Sequence, residues 1–499
     1  MTRILNVAQV AKIFAIVIML FCLFHQAYCD DNTKAKPNVL FIAVDDLRPD
    51  LGCYGNSEVK SPNIDELANE GMVFSRAYCQ QALCGPSRLS VMTGMHPDRL
   101  GIWGMSGAHV IEWRETRKGI TSLSEQFRLN GYYACGFGKI YDSRLGNDVE
   151  HSWDEYYKGG SSYNINIHNK EGRSVNGSTP LRPAILSLNV NDDELSDGDI
   201  AHKAIAKLKA HDQNQPLFLA VGFHKPHLPF VAPAKYFDLY ETDKLTLAER
   251  RWPPEWHNEF LFSWYKEIYS YDLPYPIPEE MERELIRGYY ACVSYVDAQI
   301  GKIINALKEE GMYENTMIVF WGDHGFKLGE HGEWAKHTNT EHDTRAPLII
   351  KAPGDYQRNA TTKSLVEFVD IYPTMCDLAG IPTPGNIEGR SLVPVLKDAD
   401  KTVREFALSQ YPMVRTTMSY TIRTDNWRYI ETRSNITGEF IAAELYDLSK
   451  ESIEIKDAYK THPEVAKNHA ALLDAYLRTA KKWTGGKMIS SWGPVEWDE

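Results

Sequence analysis

Apolar runs of strand length recur along the first 350 residues, and they stop at residues able to do chemistry. Asn38 to Val44 ends at Asp45 and Asp46, Tyr132 to Phe137 at Gly138 and Lys139, Pro216 to Gly222 at His224 and His227, and Asn315 to Trp321 at Asp323 and His324. A continuous apolar run leaves no polar face for water, so such a strand must be covered on both sides. Helical segments lie between the runs. One opens at Ser61 and Pro62 and closes at Gly71, one has capping-box spacing at Ser122 and Glu125, and one spans Asp197 to His211. The longest, Glu279 to Gly311, carries Val293, Val296, Ile300, Ile303, Ile304 and Leu307 as an apolar stripe. The expected fold is α/β: a large, mostly parallel sheet sandwiched by helices, with its ligand site where strands end. Val73 to Tyr78 and Pro347 to Lys351 are further strands of this sheet.

Beyond about Val403 the pattern changes. Met418 to Arg423, Trp427 to Glu431 and Glu444 to Asp447 alternate as half-buried strands, with a turn at Thr424 to Asn426, and a helix follows from His462 to Lys482. This predicts a catalytic domain over 37–402 and a smaller antiparallel-sheet subdomain with a helix over 403–499. The Gly-, Asn- and Ser-rich stretch from Asp142 to about Asp193 reads as long surface loops. The aromatic- and proline-rich stretch from Pro233 to Pro278 reads as an excursion from the core.

Arg3 and Lys12 precede an apolar run from Ile13 to Phe24, and Ala27 to Cys29 has the small residues of a cleavage site. Residues 1–29 are therefore expected to be a signal peptide, and the mature chain secreted or periplasmic. The run is short for a membrane span. A lipoprotein cut before Cys29 fits less well, because Gln26 to Tyr28 match that signal poorly. The net charge of −13 argues against nucleic acid or an anionic membrane as the main partner. Any anionic substrate then requires positive charge concentrated locally at the site. Of eight Cys, six follow the leader, at 53, 79, 84, 135, 292 and 376, without zinc-type spacing. Sequons stand at Asn176, Asn359 and Asn435.

The window Ala82 to Gly94 orders the rest. Cys84 stands two residues before Pro86 and four before Arg88, at the start of an apolar helical segment. A helix N-terminus offers unpaired N–H groups and a positive dipole end to an anion. Pro86 loses nothing in a first turn. Arg88, about one turn on, returns a planar cation to the same end. A buried structural Cys before an ordinary helix is the competing account.

The window resembles the signature of the formylglycine-dependent (type I) sulfatases, and the resemblance extends over nearly the whole mature chain. Asp45-Asp46, Cys84, Gly138-Lys139, His224 to His227, Asp323-His324 and Lys336 appear in that family's order. The stretches Phe223 to Phe230 and Asp323 to Lys336 are most similar to the iduronate-2-sulfatase-like branch. The resemblance implies an alkaline-phosphatase-like fold. It implies that a formylglycine-generating maturation enzyme converts Cys84 to 3-oxoalanine, whose hydrate is the nucleophile. It also implies a calcium ion among Asp45, Asp46, position 84, Asp323 and His324. Three carboxylates suit that hard ion, and an imidazole suits it less. Arg88, Lys139 and Lys336 are implied to seat the sulfate. His227 would protonate the leaving alcohol, with His224 as the fallback. That branch has His three residues after the lysine; here the position is Asp142, which becomes a candidate base together with Asp323. Arg99, Trp103 and the loops from Asp142 to Asp193 are candidate substrate contacts. The substrate implied is a sulfated poly- or oligosaccharide, glycosaminoglycan-like or algal such as ulvan. A phosphatase or phosphodiesterase of the same superfamily and a non-catalytic glycan-binding protein are the alternatives.

Overall fold

The computed structural model describes residues 36–495, apart from 106–112, 147, 160–182, 254–256, 263–266, 414–415, 452, 481–487 and 491–492. The expected signal peptide and the Asn176 sequon lie outside the described residues.

The strands, numbered in chain order, are β1 (Asn38–Val44), β2 (Met72–Tyr78), β3 (Tyr133–Gly138), β4 (Glu155–Tyr157), β5 (Ile185–Leu188), β6 (Leu217–Phe223), β7 (Phe230–Pro233), β8 (Thr316–Gly322), β9 (Leu348–Lys351) and β10 (Ala360–Glu367). Eight of them form one sheet in the order β10-β2-β9-β8-β1-β6-β3-β4, with β5 and β7 paired separately. All pairings in the large sheet are parallel except those of β9, which runs against both β8 and β2. β10 and β4 are edge strands that hydrophobicity did not reveal. Edge strands half-face water, and Ala360–Glu367 is exposed in part over its first half and carries Ser364 and Glu367 in its buried half, which leaves few apolar residues to read. β4 and β5 are also strand where loops were expected.

Side chains alternate along β1. Leu40, Ile42 and Val44 face the core beneath the Glu279–Glu309 helix, with Leu285, Tyr289, Val293, Ile300 and Ile303. Val39, Phe41 and Ala43 face the opposite core, with Leu89, Val91 and Met92 of the Cys84–Thr93 helix. Each such aliphatic or aromatic side chain contributes roughly 1.5–3 kcal/mol by burial. The sheet is thus covered on both faces, and its strand ends are held rigid.

A second, antiparallel sheet has the order β11 (Ala407–Tyr411), β12 (Thr417–Arg423), β13 (Trp427–Ser434), β14 (Phe440–Asp447). The Pro463–Ala480 helix packs on β12 and β13. β11 is one strand more than the sequence pattern suggested. It ties the two sheets together, because Gln410 N–H donates to the Gln80 carbonyl, just ahead of the Cys84 helix.

Candidate active site

The C-terminal ends of β1, β3, β6 and β8 lie side by side, so the residues after them converge. Val44 N-terminal to Asp45 pairs with Gly322 of β8 and Phe223 of β6. Two glycines allow the β3 and β6 ends to close up. A Cβ on Gly222 would lie 2.0 Å from the Lys139 carbonyl oxygen, and one on Gly138, at φ +77°, 2.1 Å from the Gly222 oxygen. Any larger residue at either position would displace Lys139.

Cys84 is the first residue of a ten-residue helix that is buried throughout and ends at Gly94 in the left-handed region. Cys84 Sγ lies 3.4 Å from His324 Nε2. The His324 Nδ1 faces the Gly325 carbonyl at 2.9 Å, which turns Nε2 toward Cys84 and toward Asp46 Oδ1 at 3.4 Å. One ligand atom each from Asp45, Cys84, Asp323 and His324 lies within 4.8 Å of the others, and the same holds for Asp45, Asp46, Cys84 and His227. The groups share Asp45 and Cys84, so they enclose one place. Two oxygens on opposite sides of a calcium ion are about 4.8 Å apart, so this donor spread fits a single ion.

Each carboxylate has a buried cation. Arg88 Nε donates to Asp323 Oδ2 at 2.8 Å, with Nη2 3.5 Å from Asp45 Oδ1. Lys139 Nζ reaches Asp45 Oδ2 at 2.6 Å, and Lys336 Nζ reaches both Asp46 oxygens at 2.9 and 2.8 Å. Burial opposes ionisation of Asp45, but Lys139, His227 and Arg88 outweigh it and hold its carboxyl well below the usual range. Asp323 is shifted the other way, because burial prevails over His324 and Arg88. Burial and then the Asp45 charge push the Cys84 thiol well up, against the pull of Lys139 and Lys336. As encoded, position 84 is a protonated thiol in a carboxylate-lined pocket.

Asp46 adopts φ +57° and His337, beside Lys336, φ +93°. Such conformations are rare outside glycine and concentrate at functional sites. At Asp46 the turn aims the backbone N–H at Asp323 Oδ1, 3.0 Å away.

His227 arrives on a loop pinned by Asp197, whose carboxylate accepts from the His224 and Lys225 amides at 2.9 and 2.8 Å. Its Nδ1 faces the Leu228 carbonyl at 2.7 Å, and its Nε2 lies 3.4 Å from Glu267 Oε1 and 4.0 Å from Asp46 Oδ2. The His224 ring contacts Asp197 instead, at 3.2 Å. Asp142 is buried and adjoins Lys139 at 3.3 Å. Trp103 is buried against the second sheet, with Leu408 and Met418, and donates to Asp98. Arg99 is half-buried near Glu388, on the Gly94 side of the Cys84 helix. The structure therefore gathers Asp45, Asp46, Cys84, Arg88, Lys139, His227, Asp323, His324 and Lys336, with Asp142 at the margin. It places Trp103 in the core beneath the second sheet and Arg99 near Glu388, and it turns the His224 ring to Asp197. Glu267 escaped the sequence reading, since a lone Glu in an aromatic-rich excursion is ordinarily solvated.

A family model described as Sulfatase matches residues 37–381. The chain belongs to the sulfatase family. It is a sulfuric ester hydrolase, and its likeness to the iduronate 2-sulfatases, 31% identical over most of both chains, places it in their branch. A second model, N-sulphoglucosamine sulphohydrolase, C-terminal, matches residues 329–482. The iduronate 2-sulfatase of Mus musculus is 31% identical, with 89% of this chain and 95% of that protein covered. A solved protein in complex with its substrate D-glucosamine-2-N,6-O-disulfate has a TM-score of 0.72 at 23% identity, covering 90% of this chain and 99% of the other. The phosphonate monoester hydrolase of Agrobacterium radiobacter has a TM-score of 0.71 at 22% identity, covering 93% and 100%. These two likenesses concern the alkaline-phosphatase-like fold. Among the described residues, no helix is long and apolar enough to cross a membrane.

Proposed function

We propose that this sulfatase is exported and releases sulfate from a sulfated poly- or oligosaccharide, using formylglycine at position 84 and a calcium ion. The observation that carries the reading is the place of Cys84. It begins a buried helix, lies within 4.8 Å of ligand atoms from three carboxylates and two imidazoles, and is held as an inert thiol. A thiol so placed serves neither as thiolate nucleophile nor as packing, whereas an aldehyde hydrate there would supply a hydroxyl nucleophile. Asp45, Asp46, Asp323 and His324 would hold the calcium, which would supply positive charge for the sulfate oxygens.

The chain's own side chains account for the remaining chemistry. Lys139 and Lys336 are fixed cations at the pocket wall, kept charged by Asp45 and by Asp46 with Glu267 in spite of burial. They orient a sulfate ester and stabilise charge as it moves to the leaving oxygen. Arg88 is more deeply buried and braces Asp323 and Asp45. The Leu228 carbonyl fixes one proton on His227 Nδ1 and so turns Nε2 toward Asp46 and Glu267, which makes Nε2 the position that carries the transferable proton in the imidazolium form. That edge donates to a departing sugar oxygen, which is too basic to leave unprotonated. Asp323 and Asp142 are the candidate bases for regenerating the aldehyde; Asp323 has a carboxylate oxygen within 4.8 Å of Cys84 Sγ, whereas Asp142 pairs with Lys139 and Arg144.

The names of relatives support the substrate class, since iduronate 2-sulfatase and the glucosamine disulfate complex both concern sulfated sugars. The test is sulfate release from a panel of sulfated polysaccharides and their oligomers. The enzyme is co-expressed with a formylglycine-generating enzyme, and Cys84→Ala is run in parallel. Release from one class, absent in the variant, is expected. No release by protein confirmed to carry formylglycine sinks the carbohydrate reading.

A further inference from the structure

At the position where the related branch carries His, this chain has Asp142, and the structure shows what that carboxylate does. Asp142 Oδ1 accepts from the Arg144 backbone N–H at 3.0 Å and from Arg144 Nε at 2.8 Å, and Oδ2 accepts from Arg144 Nη2 at 2.9 Å. The guanidinium is thus clamped edge-on by both oxygens, the geometry that best fixes an Arg side chain. Asp142 also caps the short turn Ser143–Leu145, which fixes the backbone beneath the clamp.

Asp142 Oδ2 lies 3.3 Å from Lys139 Nζ, which in turn lies 2.6 Å from Asp45. Arg144 is therefore joined to Lys139, and through it to the group around Cys84, by the single shared carboxylate of Asp142. The Asp142 hydrogen bond is the main cause raising the Arg144 pKa, and the Asp45 carboxylate adds to it. Its side chain is 57% exposed, whereas those of Arg88 and Lys139 are 0% and 10% exposed. Nη1 makes no hydrogen bond among the described residues. One edge of the fork is locked by Asp142, and Nη1 is left over on a side chain that is more than half exposed. A locked cation pays little entropy on binding an anion. It also answers the difficulty of a chain with net charge −13 acting on a polyanion.

We propose that Arg144 forms a second anion subsite, which binds a carboxylate or a further sulfate on the substrate while the Lys139–Lys336 pocket holds the sulfate to be cleaved. Asp142 is the residue that positions it. The proposal rests on the sulfatase reading and sets the substrate class as a sugar bearing at least two anionic groups.

The test uses a Cys84→Ala background, in which ligands bind without turnover, and calcium-loaded protein. Calorimetry measures affinities for a hexose monosulfate, a hexose disulfate and a hexuronic acid monosulfate, with Arg144 intact, as Ala and as Lys. With Arg144 intact, one or both dianionic sugars are expected to bind about tenfold or more tightly than the monosulfate. In Arg144→Ala that ratio falls to near one. In Arg144→Lys it is intermediate, because charge remains and the fork is lost. A preference for the disulfate identifies a second sulfate as the group read, and a preference for the uronate identifies a carboxylate. An unchanged ratio in Arg144→Ala, or no preference with Arg144 intact, overturns the subsite. Failure of the sulfatase reading itself shows separately, as an absence of sulfate release from matured wild-type enzyme. The ratio is internal to each variant, so a change in the folded fraction does not imitate the result.

Discussion

Glu267 Oε2 stands 2.9 Å from Lys336 Nζ, and this contact joins the aromatic-rich excursion to the catalytic pocket. The other oxygen faces His227 Nε2 at 3.4 Å. Burial disfavours the Glu267 carboxylate, but Lys336 and His227 outweigh it, and it stays ionised well below the ordinary range. One anion therefore fixes both the sulfate-facing lysine and the proposed acid. In Glu267→Gln, kcat is expected to fall by about tenfold or more, with a smaller change in KM. Steady-state kinetics on the natural substrate class decides this. A change confined to KM would assign Glu267 to ground-state binding alone.

The state of position 84 is directly measurable. Co-expression with a formylglycine-generating enzyme is expected to change the mass of the tryptic peptide from Ala77 to Arg88 by the loss of the thiol and gain of an aldehyde. Cys84→Ala should be inactive, and Cys84→Ser should be inactive under the same maturation. Activity in wild-type protein whose peptide retains the thiol at position 84 as well as that of Cys79 would overturn the formylglycine reading.

His227 as general acid predicts a dependence on the leaving group. His227→Gln should lose about 10²- to 10⁴-fold on a sugar sulfate. On a nitro-substituted aryl sulfate, whose phenolate leaves without a proton, the loss should be far smaller. Equal losses on both would give His227 a positioning role.

Calcium is expected to stabilise the fold as well as support turnover. At a free concentration about a hundredfold above Kd, a site confined to the folded state adds about 2.7 kcal/mol. Thermal melting with and without a chelator reads this, and Asp45→Asn should abolish the difference. Persistence of the full shift in Asp45→Asn would place the ion elsewhere.

His96 predicts an alkaline loss of stability far from the reaction. It is buried between Glu367 at 3.1 Å and Glu388 at 3.3 Å, with its ring 5.4 Å from that of Tyr476 in the C-terminal helix. Burial would lower its pKa, but the two carboxylates reverse this and raise it from 6.5 to about 10. The folded state thus holds a proton that the unfolded state releases near 6.5. The stabilisation is complete below that value and is lost as pH rises through about 10, on the order of a few kcal/mol. Urea unfolding at about pH 6 and about pH 9.5 should show the drop, and His96→Gln should flatten it. A parallel pH dependence in the variant would place its origin in another group.

Much of the architecture is legible before folding, and the reason is physical. Asn38–Val44, Leu217–Phe223 and Thr316–Gly322 are buried on both faces, so each is apolar at every position after the first, and a continuous run is easy to see. Strands that half-face water, such as Ala360–Glu367 and Glu155–Tyr157, carry a weaker pattern and were not anticipated. The reversed direction of Leu348–Lys351 has no sequence signal at all, because strand direction depends on the path of the chain between strands.

The same division runs through the site. Asp45, Asp46, Asp323 and His324 announce themselves because polar residues straight after a buried strand are costly unless they are used. The Cys84 window does so through the chemistry of five residues at a helix start. What the local sequence could not carry is which charges meet. Glu267 joins Lys336 across the fold, Trp103 turns inward beneath the second sheet, and Asp142 clamps Arg144 rather than facing position 84. Residue type and spacing determine which groups are available at the strand ends. Only the closed tertiary structure decides their partners, because a charge buried in low dielectric takes whichever opposite charge the packing brings within reach.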